Sequence, residues 1–179
     1  MLSPFITPAG NLGALTPNQI VVQPITVEAV TKGDLVRFDL SGTLNTTYTT
    51  LGAILDQDNK KSPFNVVIKN PAATVARAGV WGVVLEPAVA GNRVKVCISG
   101  LVEATVFATT SAINTVGQVL APDSAAAGRL TQQTDNIVCV GIFLGVVASP
   151  FTAVGSIAIS GTANSYVLFN GIVFGSAGS

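Results

Sequence analysis

Apolar positions along this chain follow a period of two over short stretches, interrupted roughly every 8–12 residues by glycine, proline, asparagine, aspartate or serine. Side chains alternate across a strand, so each stretch assigns its residues to two faces. In 33–40, Leu35, Arg37 and Asp39 fall on one face, and Val36, Phe38 and Leu40 form the apolar face. In 93–98, Val94, Val96 and Ile98 face a core, while Arg93, Lys95 and Cys97 face water or an interface. The threonine-rich stretch 42–52 suits an exposed strand or hairpin, 56–63 a solvated loop, and Val66-Val67-Ile68 another short strand. Near the end, Tyr166 and Leu168 share one face and Val167 and Phe169 the other; both faces are apolar, predicting a strand covered on both sides. No long helix fits. The best candidate, 109–119, has β-branched residues and Gly117 and predicts a turn or short helix at most. The expected fold is all-β: a small antiparallel β-sandwich or barrel with an internal duplication, plus an extended N-terminal arm.

The duplication is suggested by an echo. Gly82-Val-Val-Leu-Glu-Pro87 is followed after Gly91 by a strand ending in Ile98-Ser-Gly100, and Gly145-Val-Val-Ala-Ser-Pro150 is followed after Gly155 by one ending in Ile159-Ser-Gly161. Each reads as strand, proline-containing turn, glycine, strand.

Charge divides the chain differently. The first 27 residues and the last 44 carry none. Long uncharged stretches on a free surface favour association, so such flanks are best explained by cover from neighbouring subunits. Residues 1–27 also hold Pro4, Pro8, Pro17 and Pro24, which exclude a helix and leave an extended arm. That arm either folds back on its own domain or lies along another subunit. The expected organisation is an arm at 1–27, a β-core at 28–161 and an apolar C-terminal strand or tail at 162–179. Candidate contact residues are Leu2, Phe5, Ile6, Leu12, Leu15, Ile20 and Val22 in the arm, with Tyr166, Leu168, Phe169 and Phe174 in the tail.

Candidate chemistry is sparse. There is no histidine, which removes the commonest general base and metal ligand. Cys97 and Cys139 make no disulfide framework and read best as two free thiols, with a single bridge as the alternative. Asp56-Gln-Asp58 fails as a calcium loop because Lys60 takes the third ligand position. No Gly-x-Ser-x-Gly elbow is present. The pairs Asp34/Asp39 and Glu86/Glu103 read as isolated surface acids. Arg77, Arg93, Lys95 and Arg129 read as ordinary exposed charges, or else face acidic groups of a partner. Trp81, the only tryptophan, is a core anchor or an interface hot spot. Nine basic and nine acidic residues cancel, leaving no long-range field for nucleic acid or anionic lipid. The most apolar stretch, 137–148, is too short to span a membrane as a helix. The N-terminus lacks the basic start and apolar run of a signal peptide. Neither an enzyme nor a cofactor or metal is expected.

The order Gly33-Asp-Leu-Val, Gly79-Val-Trp-Gly-Val-Val, Ala90-Gly-Asn-Arg-Val-Lys-Val96, then Val116-Gly-Gln-Val-Leu-Ala-Pro-Asp-Ser-Ala-Ala-Ala-Gly-Arg-Leu-Thr131 and Val140-Gly-Ile resembles the capsid decoration (cement) proteins of tailed bacteriophages. The resemblance covers residues 28–160 and rests on glycine-driven structural motifs; the arm and the tail from 162 lie outside it. It implies a homo-oligomer, dimer or trimer, seated on the outer surface of the icosahedral virion at local threefold or twofold positions. The partners it implies are the major capsid protein and further copies of the chain, with neither nucleic acid nor membrane. The expected function is to stabilise the shell by bridging neighbouring capsomers. A tail or spike β-module is the alternative, and a small-ligand-binding β-barrel a more distant one.

Overall fold

A computed structural model of the chain describes residues 19–38, 66–69, 79–113, 115–123, 125–132, 139–147, 149–150 and 159–173. All regular structure among them is strand: β1 (Ile20–Val22), β2 (Ile25–Thr26), β3 (Leu35–Phe38), β4 (Val66–Lys69), β5 (Gly79–Val84), β6 (Val96–Ile113), β7 (Val119–Pro122), β8 (Leu130–Gln132), β9 (Gly141–Val146), β10 (Ser149–Pro150), β11 (Ile159–Asn170) and β12 (Ile172–Val173). Thr109–Thr110 belong to β6 and Thr115 to Gly117 form a tight turn, so the described residues of 109–119 contain no helix.

Five strands close a barrel: β6 pairs β11, β11 pairs β9, β9 pairs β7, β7 pairs β8, and β8 returns to β6. Every pairing is antiparallel except the closing one between β6 and β8. The strands outside this ring repeat its plan. β1 and β2 act as one bent strand, because Val94 N–H donates to the Pro24 carbonyl (2.9 Å) and Thr26 N–H to that of Asn92 (3.0 Å) across the gap between them. This strand pairs the start of β6, which pairs β5; β5 pairs β3, β3 pairs β4, and β4 pairs β2 in parallel. The first unit is thus built on β1–β5 and residues 96–99. The same long strand, from Gly100 onward, opens the second.

The repeat holds residue by residue. Leu35 opposes Val83 and Val36 opposes Gly82 in the first unit; Val119 opposes Ile142 and Leu120 opposes Gly141 in the second. Val83 then opposes Cys97 as Ile142 opposes Leu168, and Val84 opposes Val96 as Phe143 opposes Val167. On the far side, Val36 pairs Lys69 as Leu120 pairs Gln132. The same turn follows the first strand of each unit. Thr31 N–H donates to Asp34 Oδ2 (2.8 Å), and Thr115 N–H donates to Gln118 Oε1 (3.0 Å). Gly33 and Gly117 follow at φ 87° and 98°, a left-handed backbone that only glycine adopts without strain. Their N–H groups donate to Val84 and Phe143, both at 2.8 Å.

This register differs from the echo seen in sequence. The echo set Gly82 against Gly145 and Gly100 against Gly161, whereas the pairings set Gly82 against Gly141 and Gly100 against Gly171. A Cβ on Gly141 would lie 2.6 Å from Val167 Cγ1, and one on Gly82 would press still harder on Val96 Cγ1. Both glycines admit the branched side chain of the strand crossing them, a constraint that acts through space and leaves little trace in neighbouring residues.

Two cores result. Val36, Phe38, Val84, Val94, Val96 and Ile98 fill the first unit, while Val102, Val106, Leu120, Leu130, Phe143 and Phe169 are among those in the second. Leu35 and Cys97, on faces that alternation marked polar or exposed, are fully buried, because the second unit covers that side. Within the stretch expected as an arm, 20–22 and 25–26 are strands that pair with β6 and β4 of the first unit, and 162–170 lie in β11, a central strand of the second.

Candidate functional site

The charged side chains described here form contacts within the chain. Arg129 pairs with the buried Asp123, and its guanidinium lies 3.6 Å from the Phe107 ring centroid. Lys95 pairs with Glu86 (3.1 Å), Lys32 with Glu103, and Arg93 donates to the Gln23 carbonyl (3.0 Å). Glu86 and Glu103 therefore serve separate ion pairs. Asp34 caps its own turn; Asp39 and Arg77 lie outside the described residues. No cluster of three metal-ligating side chains occurs among the described residues. Cys97 is buried and Cys139 exposed, both free. Burial pushes the Cys97 thiol up, with a backbone hydrogen bond at Ser99 pulling the other way. A shallow hollow lined by Ala29, Val30, Pro87, Ala88, Val89 and Asn92 carries no titratable side chain. Trp81 is a core residue, with Arg37 5.6 Å from its ring centroid and its indole Nε1 without a hydrogen-bond partner.

Unsatisfied apolar surface is more informative. On the second unit, Val119 (40 % exposed), Ile142 (37 %) and Leu168 (49 %) form one cross-strand row on the outer face, Val119 opposite Ile142 and Ile142 opposite Leu168. On β1, Ile20 (54 %) and Val21 (40 %) are also exposed. Adjacent apolar side chains on neighbouring strands make a continuous patch, the kind that marks a contact site.

The candidates read from sequence divide accordingly. Leu168 and Ile20 lie in these patches; Val22 and Tyr166 are half-buried. Phe169 is buried in the second core, whereas Leu168 on the other face of the same strand is exposed, so that strand is covered on one side and not on both. Leu2, Phe5, Ile6, Leu12, Leu15 and Phe174 lie outside the described residues. Val21, Val119 and Ile142 were not foreseen. Val119 and Ile142 sit in ordinary alternating strands, where sequence alone cannot say which face is left open. No protein-family model matches the chain, and no curated protein matches it.

Proposed function

We propose that this chain is a structural virion protein, not an enzyme, that decorates the outer surface of a phage capsid and bridges neighbouring capsomers. The observation behind this reading is where the residues of the family resemblance fall. Gly33-Asp-Leu-Val and Gly117-Gln-Val-Leu occupy equivalent turns of the two units, and Gly79–Val84 and Val140-Gly-Ile supply their equivalent strands β5 and β9. The resemblance therefore follows the repeated framework and not scattered glycines. The exposed apolar rows are consistent with a protein that works by being covered. Its partners on this reading are the major capsid protein and copies of itself. Cryo-electron microscopy of particles made with and without the chain tests it. Added density on the outer shell, lost when the chain is deleted, is the expected result; density confined to the tail, or none, overturns it.

A further inference from the structure

A buried N–H group without an acceptor is costly, and native structures leave few of them. Trp81 Nε1 is such a group: the side chain is 0 % exposed, and nothing among the described residues accepts from it. The strand beneath it is pinned, since Trp81 N–H donates to the Gly171 carbonyl (2.7 Å) where β12 docks on β5.

A second donor lies at the same place. Arg37 stands directly opposite Trp81 on the β3–β5 ladder, half-buried, with its guanidinium carbon 5.6 Å from the ring centroid. Lys32, Lys95 and Arg129 each pair with a carboxylate, whereas Arg37 pairs with none among the described residues. Gly79 completes the arrangement. It lies two residues before Trp81, hence on the same face of β5. A Cβ built on it would have Arg37 Nε and Trp81 Nε1 as its nearest contacts, both at 3.6 Å. Two N–H donors therefore flank one small gap that glycine leaves open.

The repeat shows that the framework does not require this group. The counterparts of Arg37 and Trp81 in the second unit are Ala121 and Val140, so the same ladder is built there from apolar residues. We propose that the gap beside Gly79 binds a single carboxylate group, held by Trp81 Nε1–H and the Arg37 guanidinium. Both side chains donate and neither accepts, so the ligand must supply acceptors only. A planar carboxylate offers two oxygens to the planar guanidinium fork, and an ionised acceptor makes the stronger hydrogen bond to a buried donor. Bound there, it would tie β3 to β5 beside the joint with β12.

The test uses the purified full chain without capsids, so its outcome is separate from the capsid reading. Trp81 is the only tryptophan, and the isotope-labelled chain gives a single indole N–H signal in NMR. Sodium acetate should shift that signal saturably and raise the urea midpoint, as a ligand of the native state must; sodium chloride at equal ionic strength should do neither. Arg37→Gln should weaken acetate binding by at least about tenfold in Kd. Arg37→Lys, which keeps the charge and loses the fork, should weaken it as well, and it carries the comparison if Arg37→Gln unfolds the chain. An indole signal that follows acetate no more than chloride overturns the proposal, as do variants that bind like wild type or an equal response to inorganic phosphate. Alternation puts Asp39 on the same face as Arg37, so the chain holds a carboxylate of its own. Asp39→Asn should leave the acetate response unchanged; a response that appears only in that variant means that the chain fills the gap itself, and overturns binding from outside.

Discussion

The outer faces of the two repeated units carry apolar residues at equivalent positions but have opposite environments. Leu35, Val83 and Cys97 are fully buried, while Val119, Ile142 and Leu168 are exposed by more than a third. Backbone register is the same in both, so the fold alone does not set burial at these sites. What differs is the neighbour: the first unit has another unit docked on it, and the second has nothing described there. A repeat whose interface is internal at one joint leaves that interface unsatisfied at its ends, the situation met by capping or by assembly in stacked repeat proteins.

The largest way to break the comparison is to truncate equivalent side chains. Leu35→Ala should cost about 2–5 kcal/mol, because it opens a cavity where the units meet. Val119→Ala should stay within about 0.5 kcal/mol when urea unfolding is followed at concentrations where the protein is monomeric. Equal costs at the two sites would mean that the Val119 face is covered within one chain.

The joint itself can be attacked at Gly171. A Cβ there would collide with the Trp81 carbonyl group, where Trp81 N–H also donates to the Gly171 carbonyl (2.7 Å). Backbone on both sides leaves no flexible group to yield, so Gly171→Ala should cost about 3 kcal/mol, near the upper end for overpacking. A wild-type urea midpoint would show that β12 does not dock on β5.

The paired turns give a finer contrast. Alanine at Gly117 should cost about 1–2 kcal/mol from its left-handed backbone alone. Alanine at Gly33 should cost more, since it adds contact with Thr105. If the two variants unfold at the same urea concentration, the clasp at Gly33 adds nothing.

Smallest of all is the pH effect of Cys97. Its thiol is pushed up by burial, so above the ordinary thiol pKa of about 8.5 the unfolded chain ionises while the folded one keeps its proton. The unfolded state then binds fewer protons and stability falls as pH rises through that window. The decline should be shallower in Cys97→Ala, as followed by urea midpoints across the alkaline range. Exposed Cys139 should react with a thiol reagent in the native state and Cys97 only on unfolding.

Much of this was legible in the chain. Period-two alternation, dense turn residues and the lack of a helical pattern predict an all-β sandwich or barrel, and a closed five-stranded barrel with extra strands is present; the related halves do not close one barrel together but form separate units, each with its own core. The pairing of those halves was not legible: Trp81-Gly-Val-Val84 and Val140-Gly-Ile-Phe143 share only glycine, and Val94-Lys-Val-Cys-Ile-Ser-Gly100 and Ser165-Tyr-Val-Leu-Phe-Asn-Gly171 share two residues. Register is set by which apolar side chains fill a common interior, and Val, Ile, Leu and Phe substitute for one another there if total volume is kept. The more conspicuous Gly-Val-Val…Pro words begin on the equivalent strands β5 and β9 but out of register, since Gly82 corresponds to Gly141 and not to Gly145. Leu168 was found because an uncharged strand drew attention to it, whereas Val119, only four residues from the charged Asp123, gave no such signal.

By itself the sequence determined the strands, their turns, the absence of a histidine-based site and the excess of apolar residues that need cover. Those are local properties, fixed by side-chain alternation and by the residues that each turn accepts. Only the tertiary structure decided that Phe169 and Cys97 point into packed interiors, that 20–22 and 25–26 pair with strands of the first unit, and that Ile20, Val21, Val119, Ile142 and Leu168 are left exposed. Alternation sorts side chains into two faces, but whether a face meets water or protein depends on which distant strand comes to lie against it. In this chain that is settled by one long strand, β6, which ends the first unit and begins the five-stranded barrel of the second.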